Sequence, residues 1–358
     1  MELTPDQQAL REAVRGLLTR HQDDDGRWPR LVREIGVAGL AIPEADGGAG
    51  AGPVETHIVL EELGRGLTTT PMLGSAVLAT QALLAAGDDA ACRRLLPGLA
   101  AGTSTAALAW TGPDGQWNPA LTACRASAEA AVTGEAHYVL DGAEADVLLV
   151  AADGPDGIAL FELDPVQPGV ARTPVTTMDQ TRRLATVRLD GAAGRRLGSR
   201  LDLARVRDLA CIALSAEQAG AASQALDLTV AYTKVREQFG RPIGGFQSLQ
   251  HRLAVLHVQV SSARSLSYAA AQAAADGEPG LDLRAAAARS AATEALTRTA
   301  AEMIQMHGAI GITWEHDAHR YFKRAHGDSR LLGPAAGHLA RIAAALLDHG
   351  LDHGLDHG

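Results

Sequence analysis

Three side chains in one short stretch of the sequence have properties that suit a dinucleotide. Arg236 is a permanent cation that can pair with phosphate oxygens, and Phe239 offers a flat apolar face. Gln247 carries an amide that both donates and accepts hydrogen bonds. If one turn of the chain presents all three, it can bind a ligand that combines phosphate with an aromatic ring.

The pattern around these residues predicts a turn between two long antiparallel helices. Apolar residues recur at helical spacing from Ala219 to Val235, and the helical pattern resumes from Ser248 to Val260. The interruption is rich in glycine and proline, at Gly240, Pro242, Gly244 and Gly245. Any helical hairpin needs such a turn, so ordinary structure is the alternative interpretation.

A second segment, nearer the C-terminus, combines an amide with two glycines. One helix is predicted to end around Gln305, Gly308 and Gly311, and another to begin after Thr313. The glycines allow positive φ angles or close approach of another group to the backbone. A plain helix-turn-helix is the alternative interpretation.

The two segments resemble the FAD-contacting segments of the acyl-CoA dehydrogenase family. Arg236, Phe239 and Gln247 match the Arg-x-x-Phe-Gly and Phe-Gln signature, in which the arginine and the glutamine reach the FAD of a neighbouring subunit. The second segment is similar to the family's Gln-x-x-Gly-Gly-x-Gly, which contacts the adenosine end of FAD across a subunit interface, and Ala309 replaces the second glycine. The resemblance implies FAD as the cofactor.

The reaction implied by the resemblance is α,β-desaturation of an acyl-CoA or another acyl thioester. A carboxylate removes the α proton while the β hydride passes to the flavin, and electron-transfer flavoprotein is the expected electron acceptor. The family's two usual positions for this base correspond here to Ala210, in the first helix after the barrel, and Leu332, before the final helix. Neither residue can act as a base.

Three acidic residues near these positions are candidates for the base. Glu217 follows Ala210 by seven residues, hence on the same helical face but roughly 10 Å further along the axis. Asp208 points to another face, and Asp328 comes a few residues before Leu332. A solvated or capping carboxylate is the alternative for each, and Glu217 is the predicted base.

Two segments of the middle region depart from the family pattern. The Trp-x-Thr group that lies beside the flavin ring in the family corresponds to Tyr138 and Leu140, which lack the threonine hydroxyl. The Glu-Pro-x-x-Gly-Ser segment is reduced to the run from Trp110 to Gly115. We therefore expect weaker flavin contacts from this region than the family usually makes.

The sequence predicts a mainly α protein with a central β domain. Residues 1–104 carry amphipathic helical stretches and form the predicted N-terminal domain. Residues 105–200 hold short apolar runs between Gly, Asp and Pro, typical of a small antiparallel β-barrel. Residues 201–347 return to long helices rich in Ala and Leu, which predict a four-helix bundle, and residues 348–358 are predicted to be a disordered tail.

Composition and charge argue against several classes of function. The 358 residues are 46% hydrophobic, and the formal charge of -10 disfavours binding to nucleic acid or to an anionic membrane. The three cysteines are widely separated, no secretory leader is recognised, and no apolar run reaches the length of a membrane span, so that a reducing cytoplasm is expected. No metal site is predicted, because Glu315, His316 and His319 share a helical face without a further ligand group.

Three functions remain open from the sequence. The first is an FAD-dependent acyl-CoA dehydrogenase active as a single type of chain. The second is a catalytically incomplete subunit of an α2β2 assembly of the actinobacterial type, whose partner supplies the base. The third is a related flavin-dependent monooxygenase or tailoring enzyme. The missing base favours the second, and a homo- or hetero-tetramer, or a dimer, is expected.

Overall fold

The structure is a computed structural model that describes residues 2–21 and 26–352. Within these residues, five α-helices precede a β region and five follow it, which confirms the predicted mainly α fold with a central β domain. The N-terminal helices are α1 (Pro5–Arg20), α2 (Arg27–Ile35), α3 (Pro53–Arg65), α4 (Thr80–Ala86) and α5 (Asp89–Ala100). A π-helical stretch, Met72–Ala79, leads directly into α4.

The central region is a closed sheet with two strands attached to it. Its strands are β1 (Ala106–Ala109), β2 (Cys124–Ala126), β3 (Ala131–Leu140), β4 (Val147–Gly154), β5 (Gly157–Leu163), β6 (Val170–Val175) and β7 (Leu184–Leu197). Five strands form a ring in the order β4, β2, β3, β7 and β5, because β5 pairs back with β4. The strands β1 and β6 join this ring by pairing with β4 and β7, respectively.

The barrel corrects one detail of the prediction, because it is not purely antiparallel. Both β1 and β2 run parallel to β4, while the other pairs are antiparallel. The physical reason is the loop at residues 110–123. After β1 has paired with one edge of β4, this loop leads the chain back to the next stretch of the same edge, where β2 pairs in the same direction.

The C-terminal region is the predicted helical bundle with one additional short helix. Its helices are α6 (Leu203–Val235), α7 (Gln247–Asp276), α8 (Leu281–His307), α9 (Ala318–Asp328) and α10 (Ala335–Asp352). The long helix α8 packs against α6, α7 and α10, and α9 is the added element. Among the described helices, none combines the length and the apolar composition that a membrane crossing requires.

The end of the chain differs in part from the prediction. Residues 348–352 continue α10 instead of beginning a disordered tail. The rest of the predicted tail, residues 353–358, lies outside the described residues.

Helix α3 joins the N-terminal region to the bundle through a close crossing with α6. A methyl group on Gly64 would lie 2.0 Å from the carbonyl oxygen of Glu217, and one on Gly220 would lie 2.0 Å from the carbonyl oxygen of Glu61. Each helix therefore needs a glycine where it meets the other backbone. The crossing fixes the part of α6 that carries the predicted base.

Candidate flavin site at the end of the bundle

The turn between α6 and α7 projects from one end of the bundle. It contains a small hairpin of two-residue strands, β8 (Glu237–Gln238) and β9 (Arg241–Pro242). Phe239, at the tip, is 91% exposed and has a φ of 53°, which is unusual for a residue with a side chain. Its ring meets that of Phe246 edge-on, with ring centres 6.2 Å apart. The tip thus presents an aromatic face that the rest of the described chain leaves uncovered.

The two predicted segments lie at the same end of the bundle. Tyr232, one turn before Arg236, stacks on His307 with ring centres 4.2 Å apart, and its hydroxyl donates to the His307 carbonyl at 3.4 Å. The next residue, Gly308, has a φ of 62°, and no other group lies within 4 Å of the position where a side chain would begin. This stack joins the end of α6 to the end of α8, and sequence reasoning did not identify it.

We call this group the clasp end; its residues are Arg236, Phe239, Gln247, Gln305, Gly308 and Gly311. The side chains of Arg236, Gln247 and Gln305 are exposed and bond to no other side chain or backbone group in the described part of the chain. Gly311, in contrast, is buried against His307. A free cation, two free amides, an open glycine backbone and an exposed aromatic ring fit a flavin dinucleotide.

The two usual positions of the base adjoin each other and are apolar. Ala210 is 0% exposed and Leu332 is 1% exposed. The sulfur of Cys211, the residue after Ala210, lies 4.0 Å from the Leu332 carbonyl oxygen, so the two positions lie close together in the fold. Burial raises the pKa of the Cys211 thiol to about 11, so that it too is a neutral group at this place.

Glu217, the predicted base, is part of a buried ion network. One oxygen accepts from Arg182 at 2.6 Å and lies 3.6 Å from Arg324. Arg182 also pairs with Asp328 at 2.9 Å, and Arg324 with Asp179 at 3.0 Å. With two guanidinium groups on the same carboxylate, Glu217 is placed to balance charge rather than to approach a substrate. Its assignment as the base remains a prediction.

The other two candidates are also held in ion pairs. Asp208 is buried and pairs with Arg207 and Arg341, each at 3.0 Å. Burial raises the pKa of Asp208 and that of Asp328, while the arginines beside them act in the opposite direction. None of the three carboxylates is free for proton abstraction in this arrangement.

A cleft of about 370 Å³ separates the barrel from the turn between α9 and α10. Its wall includes Tyr138, Arg182 and Leu331. The Tyr138 hydroxyl donates to the Pro113 carbonyl at 3.1 Å, so the two segments that depart from the family pattern contact each other at the cleft. Leu140 is buried. The sequence did not mark Arg182 as a functional residue. The one indication in the sequence is that a charged side chain stands just before the last strand of the barrel.

The clasp end lies far from this cleft within one chain. Glu217, which binds the cleft residue Arg182, lies 19 residues before Arg236 in the same helix and its cap, a separation of roughly 29 Å at 1.5 Å per residue. The clasp end of this chain therefore lies well away from its own cleft. In the described part of the chain, no group of three or more His, Cys, Asp or Glu is placed to hold a metal ion.

A helical domain, a five-stranded barrel and a bundle with an outward clasp define a dehydrogenase-type flavoprotein subunit. Two family models match the chain: "Acyl-CoA dehydrogenase, N-terminal domain" over residues 4–103 and "Acyl-CoA dehydrogenase, C-terminal domain" over residues 178–347. The chain belongs to the acyl-CoA dehydrogenase family, whose usual cofactor is FAD.

Individual relatives agree with this assignment. Acyl-CoA dehydrogenase IpdE2 of Mycolicibacterium smegmatis is 38% identical over 96% of this chain and 99% of the relative. A solved variant of the Tcur3481-Tcur3483 steroid ACAD has a TM-score of 0.86 and 31% identity, covering 97% of this chain and 99% of that chain. The ChsE4-ChsE5 complex of Mycobacterium tuberculosis has a TM-score of 0.87 and 29% identity, covering 97% and 98%.

Proposed function

We propose that this chain is the clasp-bearing subunit of a mixed acyl-CoA dehydrogenase assembly. It completes the FAD site of a partner chain, and that partner supplies the base. The observation that carries the proposal is the distance of roughly 29 Å along α6 between Arg236 and Glu217, which binds the cleft residue Arg182. Because the clasp end is exposed and lies well away from the cleft of its own chain, its ligand belongs to a neighbour.

The cleft of this chain supports the same proposal. Both usual base positions are hydrocarbon, and Glu217 is neutralised by Arg182. Tyr138 bonds to Pro113 where the family contacts the flavin ring, so this chain offers little to an FAD of its own. Two similar solved structures are named for two chains each, Tcur3481-Tcur3483 and ChsE4-ChsE5. A heterotetramer with a glutamate-bearing chain is the assembly that we propose.

The clasp residues have separate tasks in this proposal. Arg236 pairs with phosphate oxygens of the dinucleotide, and Gln247 and Gln305 exchange hydrogen bonds with its polar groups. Phe239 covers a flat apolar surface of the ligand and excludes water. When bound, FAD supplies the acceptor for the β hydride of the acyl thioester.

The remaining partners follow from the same proposal. An acyl-CoA binds at the partner's catalytic centre, and electron-transfer flavoprotein accepts the electrons. The cytoplasm is the proposed compartment, and the three buried free cysteines, Cys92, Cys124 and Cys211, support it.

Expression with and without a partner tests the function. The chain is produced alone and together with a glutamate-bearing acyl-CoA dehydrogenase chain encoded by a neighbouring gene. We expect little FAD and no acyl-CoA oxidation from the chain alone, and a yellow complex that bleaches anaerobically with a suitable acyl-CoA. Turnover by the purified chain alone would overturn the proposal.

A further inference from the structure

A second cavity, of about 260 Å³, has a wall that shares no residue with the barrel cleft. It is enclosed by α3, α4 with the π-helical stretch before it, α6 and the end of α7. Most of its wall is hydrocarbon, from Leu60, Val77, Leu84, Leu209, Ile212 and Ala274. None of the clasp residues or of the cleft residues named above belongs to this wall.

His57 is a buried polar group in this apolar wall. It is 1% exposed, and neither of its ring nitrogens has a hydrogen-bond partner among the described residues. Tyr268 packs against its ring, with ring centres 4.2 Å apart. Burial lowers the pKa of His57 to about 4, so the ring is neutral and offers one donor and one acceptor.

The unpaired imidazole requires a physical explanation. A buried donor or acceptor without a partner costs about 1–3 kcal/mol. A buried water needs about two to four polar partners, and the hydrocarbon around His57 provides few. Two other uncharged polar side chains line the wall: Thr56, which already donates its hydroxyl to the Gly52 carbonyl at 2.9 Å, and the half-buried Gln81. A hydroxyl or carbonyl group on an otherwise apolar ligand satisfies His57 better than water does.

Arg205 adds a charge to the wall of the same cavity. It is exposed, and its guanidinium has no partner in the part of the chain that the structure describes. No carboxylate lines the cavity within these residues. The wall thus combines a mostly apolar surface, the neutral His57 ring, the half-buried Gln81 amide and one free cation at the surface.

We propose that this cavity binds a small amphipathic carboxylate. Its apolar body fills the interior, its carboxylate pairs with Arg205, and a hydroxyl or carbonyl oxygen further along the molecule bonds to His57. At roughly 30 Å³ for each group of water size, the cavity holds about eight or nine such groups. The site is independent of the flavin and of the proposed assembly.

The experiment compares three probes of equal length: 8-hydroxyoctanoate, octanoate and 1,8-octanediol. Binding to the full chain is measured by calorimetry, and the His57 ring is followed by NMR of protein labelled with ¹⁵N-histidine. We expect 8-hydroxyoctanoate to bind about fivefold more tightly than octanoate, through one hydrogen bond, and about tenfold more tightly than the diol, through the ion pair. The ¹⁵N signals of His57 should move as the probe binds.

Three variants assign these differences to residues. His57→Phe should abolish the preference for 8-hydroxyoctanoate over octanoate, with His57→Leu as the substitute if the first does not fold. Arg205→Gln should abolish the preference over the diol. Leu84→Trp, at a half-buried part of the wall, should block all three probes while thermal unfolding shows an intact fold. Absence of saturable binding, binding that survives Leu84→Trp, or unmoved His57 signals would each overturn the proposal.

Discussion

Arginine serves opposite purposes beside the middle of α6 and at its C-terminal end. Arg182 is buried between Glu217 and Asp328, which compensate its charge. Arg236 is exposed, with a guanidinium that nothing else in the described chain neutralises. Burying a cation without partners would destabilise the fold because the charge is removed from water. An exposed cation stays hydrated until a ligand binds, so it does not destabilise the fold. The first arginine therefore stabilises the fold and the second remains available for binding.

Replacing Arg236 by alanine should weaken FAD binding to the assembled complex. The loss of a charge-assisted hydrogen bond, about 1.5–3 kcal/mol, corresponds to roughly a 10- to 100-fold lower affinity. FAD content after dialysis, read from flavin absorbance, is the measurement. Arg284→Ala is the matched control, since Arg284 pairs with Glu278 at 2.7 Å near the turn at the opposite end of the bundle. Equal FAD content in both variants contradicts the role of Arg236.

Glu217→Gln separates a structural role from a catalytic one. Because Arg182 loses a buried charge partner, the variant should lower the free energy of unfolding by about 1–3 kcal/mol. Turnover of the complex should stay close to that of the unmodified protein, since the partner supplies the base. Urea unfolding and kcat are measured on the same preparation. Unchanged stability together with a large fall in kcat would identify Glu217 as the base.

The sequence predicted the turn that carries three of the clasp residues because its signal is local. Arg236, Phe239 and Gln247 lie in one turn whose glycines and proline are visible in the chain itself. The role of Glu217 was not predictable in this way. Its partner Arg182 is 35 residues away, and Asp328 is 146 residues from Arg182. Only the packing of the barrel on the bundle brings these charges together.

At the scale of elements, the crossing of α3 and α6 depends on the absence of side chains. Gly220→Ala would place a methyl group 2.0 Å from the Glu61 carbonyl oxygen, so we expect a loss of about 1–3 kcal/mol in stability from overpacking. Thermal unfolding measures the change. Gly16→Ala in α1 is the control, because its methyl group would meet only the end of the Arg20 side chain, at 3.4 Å. Equal effects of the two changes would show that the crossing tolerates the methyl group.

Element types were easier to predict than strand pairing. Helical periodicity over many residues indicated α6 and α7, and the apolar runs indicated most strands. Strand β2 has three residues, and β6 is mostly exposed, so neither has a strong alternating pattern. The parallel pairing of β1 and β2 with β4 depends on the path of the loop at residues 110–123, which no local pattern encodes.

At the scale of the whole molecule, buried histidines should make the fold sensitive to acid. Burial, with Arg289 nearby, lowers the pKa of His338 from 6.5 to about 4. Between these values the unfolded chain binds a proton that the folded chain does not. The contribution of neutral His338 to the free energy of unfolding is therefore fully present above pH 6.5. It falls by about 1.4 kcal/mol per pH unit as the pH decreases from 6.5 towards 4.

His338→Gln tests this dependence. Glutamine can still donate to the Leu332 carbonyl, which lies 3.0 Å from His338 Nε2, but it does not titrate. Urea unfolding across pH 6.5 to 4 should therefore show a smaller fall in stability for the variant than for the unmodified chain. If the free energy of unfolding depended on pH equally in the two proteins, His338 would bind its proton equally in the folded and the unfolded state.

The length of α6 has a consequence for how chains of this kind can diverge. An inserted residue between Glu217 and Tyr232 would turn everything beyond it by about 100°, away from the partner's cofactor. Seven inserted residues would nearly restore the direction but shift the clasp outward by roughly 10 Å. No insertion preserves both the direction of the clasp end and its position along the helix axis. Length changes among functional relatives should therefore accumulate in loops, such as residues 110–123, while α6 varies in composition at a constant number of residues.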